Sequence, residues 1–228
     1  MKLMRLPGIA LKAFLVPLPW PLKRFFLQRL YGYRLDPTAR IGLAWIYPRH
    51  LSMAAGSRIN SLTVAVNLDR LQLGERSTIG RGNWITGFAT GTGSPHFAHQ
   101  PDRRAELLLG AHSAITKNHH IDCTNLVSIG PFTTLAGYRS QILSHSIDLQ
   151  HNRQHSEPIT IGAHCFVGTA CVILGGSVLP DHSVLGALSL LNKPHAESWS
   201  LFAGQPARRV KSIDPGAAYF RRTRGYVV

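Results

Sequence analysis

The segment from Ile161 to Leu190 divides into five blocks of six: Ile161-Gly-Ala-His-Cys-Phe, Val167-Gly-Thr-Ala-Cys-Val, Ile173-Leu-Gly-Gly-Ser-Val, Leu179-Pro-Asp-His-Ser-Val and Leu185-Gly-Ala-Leu-Ser-Leu. Each block opens on an aliphatic residue and carries a Cys or Ser at its fifth place. A period of six excludes an α-helix: six residues turn a helix by about 240°, which would scatter the leading aliphatics over three faces. A short strand plus a turn, repeated, returns the same position to the interior on every side of a coil, which is the pattern of a parallel β-helix. Glycine at the corners suits a backbone that must adopt positive φ.

Working outward, the sixes are faint from Ile41 through Met53 and Ile59, then recur at Leu73, Ile79 and Ile85 in a new register. They stop between Gly87 and Glu106, where a Gly/Thr/Ser/Pro-rich stretch predicts a loop leaving the coil. Leu109, Ile115, Ile121 and Val127 resume the period, a slip of two moves it to Ile129 and Leu135, and residues 144–158 form a second excursion. The organisation predicted is a basic apolar N-terminal segment (1–36), a β-helix (37–193) and a closing segment with a basic tail (194–228).

Phe202-Ala-Gly-Gln-Pro-Ala-Arg-Arg-Val-Lys211 resembles the closing Ala-Gly-x-Pro-Ala-(Lys/Arg) segment of the hexapeptide-repeat acyltransferases. Together with the sixes, it makes the chain similar to that family. The resemblance implies an all-β, left-handed parallel β-helix with three sixes per coil, a homotrimer, acetyl-CoA or another acyl-CoA as donor, and no metal. Ser144-His145, leading through a loop into Pro158-Ile-Thr-Ile-Gly162, resembles the galactoside, maltose and xenobiotic acetyltransferases, whose histidine at this place is the general base. A sugar hydroxyl is a poor nucleophile until its proton is removed, and imidazole titrates near working pH. Asp148 is close enough in sequence to orient His145, while His151 and His155 read as solvated loop residues.

One coil earlier, His120 and Asp122 flank Ile121 and so point to the same side of a strand if Ile121 points inward. The resemblance places acceptor contacts there. It places donor contacts at Thr169, Ala187, Asn192 and Lys193, with Arg208 and Lys211 near the nucleotide phosphates. Asn192 stands where the family commonly has Thr, and Leu174 and Pro180 replace Gly or acidic residues. The function implied is O-acylation of a sugar hydroxyl, in a surface polysaccharide or its lipid-linked precursor, with antibiotic, serine and nucleotide-sugar acceptors left open. Two alternatives stand beside it: a zinc hydratase using His120, His145 and His151, as in γ-type carbonic anhydrases of the same fold, and a basic scaffold without catalysis.

The 228 residues carry 25 Lys and Arg against 11 Asp and Glu, a formal charge of +14, which points to an anionic partner. No Walker loop, Rossmann glycine fingerprint or CxxC pair is present, and no nucleic-acid module accompanies the charge, so nucleotide hydrolysis, dinucleotide redox chemistry and nucleic-acid binding lack support. Cys165 and Cys171 occupy the small fifth places and read as buried structural thiols. Lys2, Arg5, Lys12, Lys23, Arg24, Arg29 and Arg34 all precede the first acid, Asp36, and are interleaved with aromatics. Pro17, Pro19 and Pro21 break this apolar stretch, which disfavours a membrane-spanning helix and a signal peptide. The segment is predicted either to cap the solenoid or to touch an anionic membrane surface, in a cytoplasmic protein that is peripheral in the second case.

Overall fold

The computed structural model describes residues 8–227. Its strands form three parallel sheets that make the faces of a triangular prism, the parallel β-helix predicted from the sixes, with the left hand that the family resemblance implied. Each coil gives one strand to each face; the first coil gives Arg34–Leu35 to face 1, Arg40–Ile41 to face 2 and Trp45–Tyr47 to face 3. Faces 1 and 3 have seven strands. Face 2 has nine, because the closing segment adds Ser200–Gly204 in parallel and Ala207–Ser212 as an antiparallel edge. The solenoid therefore begins slightly before residue 37 and extends past residue 193.

The leading aliphatics Ile161, Val167, Ile173, Leu179 and Leu185 are all buried, and so are the fifth-place residues from Cys165 to Ser189. The two-residue slip has a simple cause. On face 1 a coil turns two residues inward rather than one: Val127 and Ile129, two apart on one strand, are both buried. Coils pack so closely at the corners that a Cβ on Gly80 would lie 1.9 Å from Thr116 O. The corner between faces 1 and 2 carries a stack that the period of six does not reveal: His112, Phe132, His164, His182 and Trp199 lie ring on ring, with centroids 4.2 to 5.0 Å apart. The C-terminal tail runs back along this stack, with Phe220 against Trp199 and Arg222 donating to Phe132 O.

Two helices, α1 (Ile9–Leu15) and α2 (Trp20–Tyr31), close the N-terminal end. Leu15 and Leu27 are buried in the core cluster. Tyr47 Oη donates to Lys12 O, Arg24 donates to Leu35 O, and Tyr31 packs beside Tyr33 and Tyr47. The capping alternative is thus what the structure shows, for a sheet edge left open would present unpaired backbone groups. Lys2 and Arg5 lie outside the described residues. Among those described, no helix is long and apolar enough to cross a membrane.

Lys23 is the unusual member of the cap. It is 2% exposed, and its ammonium donates to Gly42 O at 2.7 Å and Val16 O at 3.2 Å. Burial lowers its pKa to about 8. An unfolded lysine keeps its proton to about pH 10.4, so between about pH 8 and 9.5 the native state holds fewer protons than the unfolded chain. The cost of burying the charge is present below that window and is relieved as pH rises through it. In denaturant melts from pH 8 to 9.5, Lys23→Met should lose this upward contribution to the slope relative to wild type, since the cysteines and tyrosines titrate alike in both.

Candidate active site

Both excursions leave the prism at the same corner, where face 3 passes to face 1. The first runs between Trp84–Thr86 and Glu106–Leu109. The second, between Gln141–Leu143 and Ile159–Ile161, contains an antiparallel hairpin of His145–Asp148 and Arg153–Ser156. Between them lies the corner of the intervening coil, which follows His120–Asp122. The third strand residue, Asp122, points outward beside the hairpin's first residue, His145.

Asp122 Oδ2 accepts from His145 Nδ1 at 2.8 Å, from the His145 and Ser144 backbone N–H groups at 3.1 Å, and from Ser144 Oγ at 3.0 Å. Its Oδ1 accepts from Thr124 Oγ1 at 2.6 Å and Thr124 N at 3.1 Å. A carboxylate only accepts, so His145 Nδ1 carries the proton and Nε2 keeps a lone pair. That nitrogen has no protein partner among the described residues, and the side chain is 44% exposed. Burial would raise the Asp122 pKa, but hydrogen bonds from His145 and Thr124, the imidazolium charge and Ser144 outweigh it and hold the carboxyl below its ordinary value. The hydrogen bond to Asp122 raises the His145 pKa above 6.5; burial opposes this and the carboxylate charge adds to it.

The sequence-predicted orienter, Asp148, is elsewhere engaged. Its carboxylate accepts from His151 Nδ1 at 2.8 Å and from Arg153 Nε at 3.2 Å, both within the hairpin. Asp122, expected to face an acceptor, has both oxygens committed internally. His120 is exposed on the same side of its strand, next to the half-exposed Trp84 with ring centroids 6.5 Å apart. Among the described residues no three His, Cys, Asp or Glu side chains converge as a metal set, so His120, His145 and His151 do not form one.

Sequence reasoning missed the wall beside His145. Phe97, from the first excursion, is buried and stands edge-on to the imidazole, centroid to centroid 6.4 Å at 83°. Its φ of 62° lies in the left-handed region, a strained conformation for an aromatic residue that surrounding contacts must hold. Three ties do so. Arg103, 8% exposed, stacks on Phe97 at 4.5 Å and donates to Phe88 O and Thr124 O. Gln100 exchanges hydrogen bonds with Ser156 across the two excursions. Asp69 accepts from Thr90 N, and Arg49 donates to both Asp69 and Thr90 O.

The predicted donor residues fall apart from His145 within the chain. Thr169 and Ala187 sit at the corner between faces 2 and 3, where Thr169 Oγ1 donates to Tyr138 O. Asn192 and Lys193 are exposed, at the face 3 to face 1 corner one coil beyond Gly175 and Gly176. Arg208 and Lys211 are exposed on the antiparallel edge strand and carry no ion pair among the described residues. Burial raises the thiol pKa of Cys165 to about 12 and raises those of Cys171 and Cys123 as well, which leaves no activated thiol.

No protein-family model matches the chain, and no curated protein sequence matches it. Solved structures do. The polysialic acid O-acetyltransferase OatWY is 18% identical, with 81% of this chain and 87% of that one covered and a TM-score of 0.56. A hexapeptide-repeat-containing acetyltransferase from Vibrio cholerae O1 biovar eltor, complexed with acetyl coenzyme A, is 18% identical over 90% of this chain and 84% of that one, at a TM-score of 0.47. An N-acyltransferase from Bacillus cereus, AntD, in a mutant form with dTDP and coenzyme A, is 14% identical over 84% and 89%, also at 0.47. The likeness to OatWY places this chain in the fold class of the hexapeptide-repeat β-helices.

The Asp122–His145 pair makes a direct prediction. Asp122→Asn removes the anion that favours the imidazolium, so the His145 pKa should fall from its raised value. NMR titration of its ring Cε1–H reads this; an unchanged midpoint would show that the pair is not coupled in solution.

Proposed function

We propose that the chain is an acyl-CoA-dependent O-acyltransferase that transfers an acetyl group to a sugar hydroxyl, with His145 as general base. The observation that carries the reading is the His145 side chain itself: Nδ1 is tied to Asp122, and Nε2 is bare beside an apolar wall. Asp122 then holds the tautomer and stabilises the imidazolium. Nε2 accepts the acceptor hydroxyl proton as that oxygen bonds to the thioester carbonyl carbon. The carbon–sulfur bond breaks, and the proton passes to the departing coenzyme A sulfur. Transfer is direct, since the cysteines are buried with raised pKa values. His120 lies on the acceptor side. The likeness to an enzyme named for acetylating polysialic acid supports a sugar-chain acceptor, such as a surface polysaccharide or its lipid-linked precursor.

The placement of the predicted donor residues supports a homotrimer. Thr169 and Ala187 occupy one edge of face 3 and His145 the other, and on a triangular prism these edges point away from each other. A donor that touches both kinds of residue is therefore best shared between neighbouring subunits, with Asn192 and Lys193 at its edge and Arg208 and Lys211 toward its phosphates. The N-terminal cap faces an anionic membrane surface, on the cytoplasmic side.

Thiol release from acetyl-CoA against a panel of sugar, antibiotic, amino-acid and nucleotide-sugar acceptors tests the reaction; release with no acceptor beyond background would count against it. His145→Ala should lower kcat about 10²- to 10⁴-fold while leaving donor affinity intact, and near-normal transfer by this variant would remove the base from the mechanism. Because the working form is the neutral imidazole and its pKa is raised, the acid limb of the wild-type profile should lie above pH 6.5. Arg208→Ala and Lys211→Ala should raise the KM for acyl-CoA with kcat nearly constant, the mark of uniform binding. A large fall in kcat at unchanged KM would reassign them.

A further inference from the structure

The cap has two chemically different sides. Toward the prism it sends Leu15, Leu27 and the hydrogen-bonded Lys23. Away from it, α2 leaves Leu22 and Phe25 52% and 59% exposed, with Arg29 on the same stripe, and α1 leaves Ile9 and Phe14 77% and 61% exposed. Single exposed apolar residues are ordinary, but four on consecutive helices at one end of a solenoid form a patch that calls for a partner. The surrounding charge identifies its chemistry. From residue 8 to residue 68 the sequence holds eight Lys and Arg and one acid, Asp36, whose carboxylate is bonded to Thr38. Lys23 is buried and Arg49 is paired with Asp69; the other six have no acidic partner within ion-pair distance among the described residues. Arg40 and Arg58 even stand side by side in register on face 2. A second copy of this end would set one cationic rim against another. An anionic bilayer satisfies both the apolar stripe and the rim.

The direction of the patch is fixed by what the cap covers. It lies against the first coil, where Arg34–Leu35, Arg40–Ile41 and Trp45–Tyr47 are the edge strands of their faces. The stripe therefore faces along the prism axis. On face 3 the strands rise in the order Trp45–Tyr47, Val64–Val66, Trp84–Thr86, His120–Asp122, Gln141–Leu143. Asp122 is thus three strand spacings above the first coil, and the strand that leads to His145 is four, about 14 to 19 Å at about 4.8 Å each. A helix layer adds about 10 Å.

We infer that the protein stands on its N-terminal end on an anionic bilayer and holds His145 about 25 to 30 Å above it, where it reaches a membrane-anchored glycan several sugars out from its lipid rather than the lipid-proximal sugar. The acceptor half rests on the acyl-transfer reading, and the docking half does not.

The full chain should sediment with vesicles of phosphatidylglycerol and phosphatidylcholine at low salt and not with phosphatidylcholine alone. The double variant Phe14→Ser, Phe25→Ser, at exposed positions, should melt as wild type and bind about tenfold less or weaker. Wild-type-like binding by that variant, or none by the parent, would overturn the docking. The native cysteines are buried, so dyes placed by Leu22→Cys or by Leu149→Cys at the hairpin tip report height by energy transfer to a dye on the bilayer surface. Strong transfer from position 22 and weak transfer from position 149 is the end-on result; equal transfer means a prism lying flat and overturns it. On such vesicles, glycolipids bearing several sugars should be acylated and single-sugar glycolipids should not. Equal rates on both would overturn the height inference. Acylation of neither, with docking and height intact, would sink the acyl-transfer reading alone.

Discussion

Closure of the coil is the constraint on which everything else depends. Each of three short strands must return a side chain, nearly always aliphatic, to a narrow prism, and each backbone must stay in parallel register with the coil before it. Residues in excess of one coil have one outlet, a corner. The chain uses the same corner twice, after Thr86 and after Leu143, and leaves one plain coil between them. The two excursions therefore face each other across a gap of two strand spacings, about 10 Å, which the Gln100–Ser156 exchange spans, while Arg103 bridges to Thr124 on the coil between them. A histidine, a carboxylate and an aromatic wall come together because the solenoid places them at one edge.

The period of six made the fold legible, because burial every sixth residue is a one-dimensional signal and Ile161 through Leu185 carry it almost without exception. The aromatic stack was not legible at that period. His112, Phe132, His164 and His182 all hold the fourth place of a six, but those sixes run in different registers and Trp199 follows none of them, so the stack emerges only when residues are compared coil by coil. The candidate base was found through its flanking residues. Its partner was not, because the nearest carboxylate in sequence, Asp148, is three residues away, whereas the one in space is Asp122, one coil back. The strand register holds the clue: Asp122 pairs with Leu143, two residues short of His145. Phe97, Gln100 and Arg103 lie in a segment with no period at all, and only tertiary contacts reveal their work.

The wall beside His145 concentrates cost in one place. Phe97 is held at a left-handed φ, and Arg103 is buried with its charge against aromatic faces and two carbonyl oxygens rather than a carboxylate. A buried guanidinium without an ionic partner loses more hydration than two carbonyls return, so a purely structural loop would do better with an apolar residue there. What the arrangement gains is position. It fixes a rigid ring against the imidazole and places a cation one hydrogen-bonded residue, Thr124, from the Asp122 carboxylate.

The same reasoning applies at the other end of the prism. A cap needs only an apolar underside, and Leu15 and Leu27 supply it. Nothing about covering three strand edges requires Leu22, Phe25 and Phe14 on the upper side, or six cations without acidic partners around them. Like charges on one end repel in the folded state and weaken it, while residues 8–68 hold a single acid, Asp36, to relieve the repulsion. Capping and surface contact, alternatives in the sequence, are compatible in one pair of helices: the buried side closes the solenoid, and the exposed side, standing across the axis, is left free for the surface contact inferred above.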